Sequence, residues 1–186
     1  LSQRGELYFI EVKQDDSWSP IGDVTFSEND LPIVIGVEAY RSIGVGREVI
    51  AALIKRARSL SYRQLRVQDI YDFNLPSKKL FTSFGFYSYE ETELGHRYVL
   101  DLVLPFSEIQ PSQFFLSEKK LEEIATWFDQ EELKPLPVKR WKGEWFLTDG
   151  HSRAFTAYLR GRSELPVYFD RDDINLKFYS NCIRLC

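Results

Sequence analysis

The sequence predicts an α+β protein in two domains, residues 1–102 and 103–186. Three observations carry that prediction. Pro32 to Leu60 reads as strand, glycine-bearing turn, helix. Alternating β-branched and aromatic runs come before and after it. From Val103 the composition shifts: five of the eight prolines lie beyond that point, and a second strand–turn–helix unit begins at Glu144.

The elements follow in order. Leu7 to Val12 predicts a strand, Gln14 to Pro20 a polar turn, Ile21 to Phe26 a second strand, and Ser27 to Asp30 a turn. The β-branched run Ile33-Val34-Ile35 is a third strand. After the turn at Arg41 to Gly46, Val49, Ile50, Leu53, Ile54, Ala57 and Leu60 recur at helical period. Leu65 to Tyr71 is a further strand. Asn74 fits a helix N-cap, Pro76 the first turn and Gly85 the stop, with Leu80, Phe81 and Phe84 on the apolar face. Tyr87 to Leu102 gives two strands about Gly95.

Of 186 residues, 44% are hydrophobic and 28% charged, an ordinary globular balance, and the net charge is −4. Residues 1–102 carry 12 basic and 15 acidic side chains and residues 103–186 carry 12 and 13. Neither half has the basic footprint of a non-specific DNA binder. The two cysteines, Cys182 and Cys186, exclude a disulfide framework or a four-cysteine zinc site, and no metal site is expected. With no signal peptide and no apolar run of membrane length, a cytoplasmic location without membrane contact is expected. The oligomeric state is left open.

The glycine turn is the first functional signal. It lacks the three-glycine dinucleotide fingerprint and the Lys-Ser/Thr pair of a phosphate-cradling loop. Its glycines still allow close backbone approach, and the helix N-terminus behind it favours an anion. A plain strand–helix connection accounts for the spacing equally well. Arg41-x-x-Gly44-x-Gly46 after a strand resembles the coenzyme A loop of the GNAT N-acetyltransferase superfamily. About 30 residues on, Asn74-x-x-Ser77-x-x-Leu80-Phe81-x-x-x-Gly85-Phe86 is similar to that family's second signature. The resemblance covers about residues 7–102. It implies a mixed, mostly antiparallel sheet with flanking helices, acetyl-CoA as cofactor, and a small-molecule or protein amine as acceptor.

Acetyl transfer to an amine needs a held cofactor, a deprotonated amine and a stabilised oxyanion. By the resemblance, the amides of Ile43, Gly44, Val45 and Gly46 hold the pyrophosphate, with Arg41 and Ser42 assisting. Backbone groups of Ile35 and Val37 pair with the pantetheine arm as an added strand would. Asn74 and Ser77 contact the cofactor, although Asn74 serves equally as a cap alone. Glu38 is the first candidate base and Asp23 the second; each also reads as a solvated strand-end carboxylate. Two departures stand out. The chain enters at what looks like the family's second strand, without the strand and helices that help build the acceptor site. The family's frequent tyrosine acid is Phe81 here, which leaves Tyr71 or water to protonate the thiolate, or a domain that binds without catalysing.

The second half predicts a helix capped by Ser117, strands at Leu136 to Val138 and Glu144 to Thr148, a helix over Ala154 to Arg160, a strand at Leu165 to Phe169, and a helical tail beyond. Asp149-Gly150-His151-Ser152-Arg153 joins a strand to a helix, a pattern suited to phosphate. Asp149 and His151 alone are too few ligands for a metal, and His151 also reads as a turn histidine bonded to Asp149. The segment from Ile109 to Pro111, the Pro135 to Val138 strand, this turn and Ser163-Glu164-Leu165-Pro166-Val167 together resemble the ParB/sulfiredoxin-like domain, a small α/β fold. That resemblance implies a nucleotide at residues 149–153. One arginine of the ParB turn is missing, and the sulfiredoxin cysteine has no counterpart.

Three functions follow: an acetyl-CoA-dependent N-acetyltransferase, a nucleotide- or nucleic-acid-binding module on a non-catalytic scaffold, and an inactive coenzyme A sensor. The first is the expectation.

Overall fold

Two long strands, β1 (Glu6–Gln14) and β2 (Ser17–Phe26), open the chain as an antiparallel hairpin. The computed structural model describes residues 5–113 and 115–173. The hairpin turn is tighter than the sequence predicts. Asp15 takes a φ of 51°, and Ser17 to Pro20 lie within β2 opposite Glu11 to Gln14 instead of in a broad turn. Pro20 is tolerated there because the register shifts beside it, between Ile10 and Glu11. The next strand, β3 (Ile33–Ile35), pairs only with Gly22 to Val24, so it leaves the Pro20 end of β2 alone.

Alternation divides the side chains of this sheet into two sets. Ile10, Val24 and Phe26 are buried. Leu7, Phe9, Asp23, Thr25 and Val34 fall on the opposite face, and the register sets Asp23 beside both Phe9 and Val34. The helix α1 (Val45–Ser59) buries Ile50, Leu53 and Ala57, as its period predicts. Its Val49, Ala52, Leu53 and Arg56 share a groove with Tyr8, Ile10 and Val24. Arg56 reaches back to Glu6, and the guanidinium holds the Glu6 carboxyl down at about 2.

The remaining elements of this part are β4 (Gln64–Tyr71), α2 (Leu75–Thr82), β5 (Tyr87–Glu91) and β6 (Gly95–Asp101). The strands form two three-stranded sheets, ordered β1-β2-β3 and β4-β6-β5. β3 is therefore an edge: β2 lies on one side and no strand is bonded to the other among the described residues.

Contacts divide the chain into two compact units, Leu1–Leu100 and Asp101–Cys186. The second contains β7 (Val103–Pro105), β8 (Ile109–Pro111), α3 (Glu118–Trp127), β9 (Leu136–Trp141), β10 (Glu144–Leu147), α4 (His151–Leu159) and β11 (Glu164–Phe169). They build a mixed sheet, β7-β11-β9-β10-β8, with β11/β9 and β10/β8 parallel. Leu136, Val138, Leu165 and Val167 are fully buried in it. The helix predicted from Ala154 starts three residues earlier. His151 and Ser152 are buried in its first turn, so they belong to the helix and not to the loop before it. The helical tail predicted beyond residue 173 lies outside the described residues. The whole is a mixed α/β protein, and no helix among the described residues is long and apolar enough to cross a membrane.

Candidate functional site

The loop between β3 and α1 is built by one side chain and one glycine. Arg41 folds back: its Nε donates to the Ile35 carbonyl at 2.9 Å and a terminal nitrogen donates to the Gly36 carbonyl at 3.1 Å. The guanidinium is therefore a strut between loop and strand, not a free charge over the loop. Ser42 takes a φ of 63°, and Gly44 caps α1 at a φ of 105°, a conformation that disfavours any Cβ. A Cβ at Gly44 would otherwise meet nothing within 4 Å. Gly46 serves a different purpose. A Cβ there would lie 2.9 Å from Leu80 Cδ2, so this glycine lets α2 pack against the start of α1.

The consequence is a row of donors. The N–H groups of Ile43, Gly44, Val45 and Gly46 have no acceptor among the described residues; the first bonds of the helix run from Arg47 and Glu48 to the Gly44 carbonyl. Ile43 and Gly44 are exposed and Val45 and Gly46 half-buried. Such a row is an anion site in the making.

The flanking candidates fall into two places. Val37 and Gly36 donate their N–H groups to the Ile21 carbonyl, extending the β2–β3 contact to the start of the loop. Glu38 follows on a 3-10 turn, Glu38–Tyr40, and is exposed. Asp23 is half-buried on β2, directly across from Val34. Neither carboxylate has a partner among the described residues. Tyr71 ends β4, in the other sheet, 42% exposed with its ring 5.4 Å from Phe73. Asn74 accepts the Ser77 N–H at 3.3 Å and so caps α2, with its amide nitrogen still available. Phe81 is 5% exposed and packed edge-on against Phe86 at 5.1 Å between centroids.

In the second unit, Asp149 to Arg153 line a cavity of about 380 Å³. Gln113, Ser117 and Lys120 line it too, contributed by the β8–α3 segment and α3. Sequence reasoning missed these, because nothing local signals that α3 folds beside α4. Arg153 stands 3.9 Å from Asp149, a loose ion pair. His151 does not bond Asp149. Its Nε2 accepts the Ser112 N–H at 3.1 Å, 39 residues away. Burial lowers its pKa below the ordinary histidine value. Among the described residues no three His, Cys, Asp or Glu side chains gather as metal ligands.

Residues 2–86 match the Acetyltransferase (GNAT) family. The matched segment spans the strand edge, the loop and α2. Solved structures with related coordinates include a domain from Methanocaldococcus jannaschii, at 22% identity and a TM-score of 0.49, covering 54% of this chain and 68% of that one. The N-acetyltransferase PseH of Campylobacter jejuni in complex with acetyl coenzyme A aligns at 20% identity and a TM-score of 0.40, over 54% and 70%. The chromosome-partitioning protein ParB of Caulobacter crescentus, bound to its parS site, aligns at 22% identity and a TM-score of 0.30, over 38% and 40%. No curated protein matches the chain.

Proposed function

We propose that the first unit transfers an acetyl group from acetyl-CoA to an amine. The observation that carries this reading is the row of four acceptor-free N–H groups, Ile43 to Gly46, directly after a strand with an open edge, within the segment that matches the GNAT family. The residues present fit acetyl-CoA: the amides suit a pyrophosphate, and the edge of β3 suits an amide-bearing arm. When bound, the cofactor supplies an acyl group activated as a thioester.

The chain's own residues do the rest. The loop amides hold the anion, and Arg41 fixes the loop to β3. Asn74 and Ser77 offer polar groups at the first turn of α2. Glu38 or Asp23 takes the proton from the incoming ammonium; both are unpaired and so able to accept it. Tyr71 is the candidate donor to the departing sulfur, because Phe81 has no proton to give. Its burial makes Phe81 a core residue. Phe81→Tyr is expected to lower stability by about 1–2 kcal/mol through an unpaired buried hydroxyl, without a gain in thiol release. Urea titration and a thiol assay read the two effects.

The direct test is a thermal melt with acetyl-CoA, followed by thiol release over an amine panel. Cofactor at about 100 times its dissociation constant adds roughly 2.7 kcal/mol, a midpoint rise of roughly 5–10 °C for a chain of this size. Gly44→Val is expected to abolish the rise. No shift at saturating acetyl-CoA sinks the reading, and a shift without turnover for any amine leaves a sensor.

The second unit supports a separate reading, a nucleotide or phosphate site at Asp149 to Arg153. The cavity that adds Lys120 and Ser117 to that turn favours it. A midpoint rise with ATP or CTP, absent in Arg153→Ala, would place a ligand there.

A further inference from the structure

We propose that the ligand of the second unit is a phosphate monoester of an apolar alcohol, an alkyl, prenyl or aryl phosphate, and not a nucleotide. This rests on the reading of Asp149 to Arg153 as a phosphate site and names what the phosphate is attached to. The polar cavity at that turn does not stand alone. A second cavity, of about 350 Å³, shares Gln113 and His151 with it as wall residues. Helix α4 serves both. Its N-terminal end, with Gly150, Ser152 and Arg153, lines the polar cavity, while Ala154, Phe155 and Tyr158 line the other. Those three follow His151 at helical spacing and so share its face of the helix. The run from His151 to Tyr158 is about 10 Å long, which gives a ligand room to lie along α4 with its charged end at the helix start.

The two cavities differ in chemistry. The polar one sets Lys120 and Arg153 against Asp149, an excess of positive charge, with the Ser117 hydroxyl beside them. The first bond of α4 runs from the Ala154 N–H to the Gly150 carbonyl, so the N–H groups before it are left for an anion. The terminal oxygens of a phosphate match this set of donors more fully than a carboxylate does. The other cavity is walled chiefly by Phe106, Ile109, Leu116, Leu147, Phe155 and Leu165. Its few polar side chains are mostly engaged. His151 accepts the Ser112 N–H and bonds the Leu147 backbone. Gln113 donates its amide nitrogen to the Phe115 carbonyl. The Gln113 oxygen and the hydroxyl of the exposed Tyr158 are the side-chain groups that remain. A nucleobase carries several donors and acceptors on its edge, and ribose adds hydroxyls. Most of them would be buried there without a side-chain partner. A hydrocarbon body has no such cost and gains by leaving water.

The test is calorimetric titration of the full chain with octyl phosphate, octanoate, octanol, inorganic phosphate, CMP and CTP, below any micellar concentration. Octyl phosphate is expected to bind at least about a hundredfold more tightly than inorganic phosphate, and about tenfold more tightly than either nucleotide. Arg153→Ala and Lys120→Gln are each expected to weaken it about tenfold. Phe155→Ala is expected to weaken it several-fold, and to weaken it more than inorganic phosphate. Lys120 and Phe155 are exposed, so their replacement leaves the fold in place, and circular dichroism checks it. A nucleotide that binds as tightly as octyl phosphate, and loses affinity in Arg153→Ala, overturns the proposal while keeping the phosphate site. Octyl phosphate no tighter than inorganic phosphate does the same. Octanol or octanoate binding as tightly as octyl phosphate sinks the phosphate site together with the proposal. So does octyl phosphate binding that ignores both Arg153→Ala and Lys120→Gln, or no binding by any phosphate compound.

Discussion

Replacing Gly22 with alanine is expected to destabilise the first unit by about 3 kcal/mol or more and to abolish cofactor binding. Gly22 sits opposite Ile35 in the β2–β3 register. A Cβ built there overlaps the Val34 carbonyl oxygen and crowds the Ile35 Cα at 3.1 Å. The obstacle is backbone, which cannot rotate aside as a side chain can. β3 would have to move away from β2, and it has only three residues with which to hold on. Overpacking against side chains typically costs about 1–3 kcal/mol, and a backbone clash belongs at or beyond the top of that range. In a unit of roughly 100 residues this corresponds to a fall in melting midpoint of roughly 10 °C or more. Differential scanning calorimetry reads the fall, and the acetyl-CoA shift should vanish with it, since the loop amides hang from the end of β3. A variant melting within a degree or two of the parent would show that the strands are not so closely set.

The second large effect is expected at His151. Its ring is 8% exposed and takes the Ser112 N–H into its Nε2 lone pair. His151→Ala removes the acceptor, strands a buried donor and leaves a void, a loss of about 3 kcal/mol to the second unit. His151→Gln keeps an acceptor and is expected to recover part of that. The two variants also separate in pH. Burial lowers the histidine's folded pKa below its ordinary value of 6.5. The unfolded chain then binds the proton first, so the stability contributed by the neutral ring is present above pH 6.5 and is lost as pH falls below it. Protonation would also place a hydrogen where Ser112 already donates. Urea midpoints at pH 7.5 and 5.5 should diverge in the parent and much less in His151→Gln. An equal pH slope in both would remove His151 from the account.

How much of this was legible in the sequence depends on range. α1 was legible because one helix face repeats every three to four residues, and Asn74 and Gly85 bounded α2 because capping is chemistry within a few positions. The Asp15 turn is tighter than the sequence predicts because polar Ser17 and Ser19 and the proline at 20 look like loop; their strand is set by pairing with β1 and not by their own composition. The loop donors were legible from the glycines and the strand before them. The job of Arg41 was not, because a guanidinium that binds an anion and one that binds its own backbone read the same in sequence. Gly46 also makes room for Leu80, a neighbour 34 positions away that no local pattern signals. His151 was linked in sequence to Asp149, the nearest carboxylate, whereas its partner lies beyond α3 in chain order. The contacts at Gly46 and His151 were not legible because they join residues far apart in the chain.

The Arg41 strut has a consequence for how the loop would respond to solution conditions. A pocket that holds a phosphate with mobile cations loses affinity steeply as salt screens them. Here the cation is already occupied by the Ile35 and Gly36 carbonyls, and the donors facing outward are peptide dipoles fixed in the backbone. The grip on an anion should therefore rest more on fixed dipoles than on a mobile charge, and weaken less with salt than in a pocket built from free lysines or arginines. The same side chain sets the spacing between the loop and the open edge of β3, so it acts as a gauge. A bound molecule must match that spacing along its length, and one with the right phosphate on a shorter or longer arm would engage the amides or the strand edge, but not both.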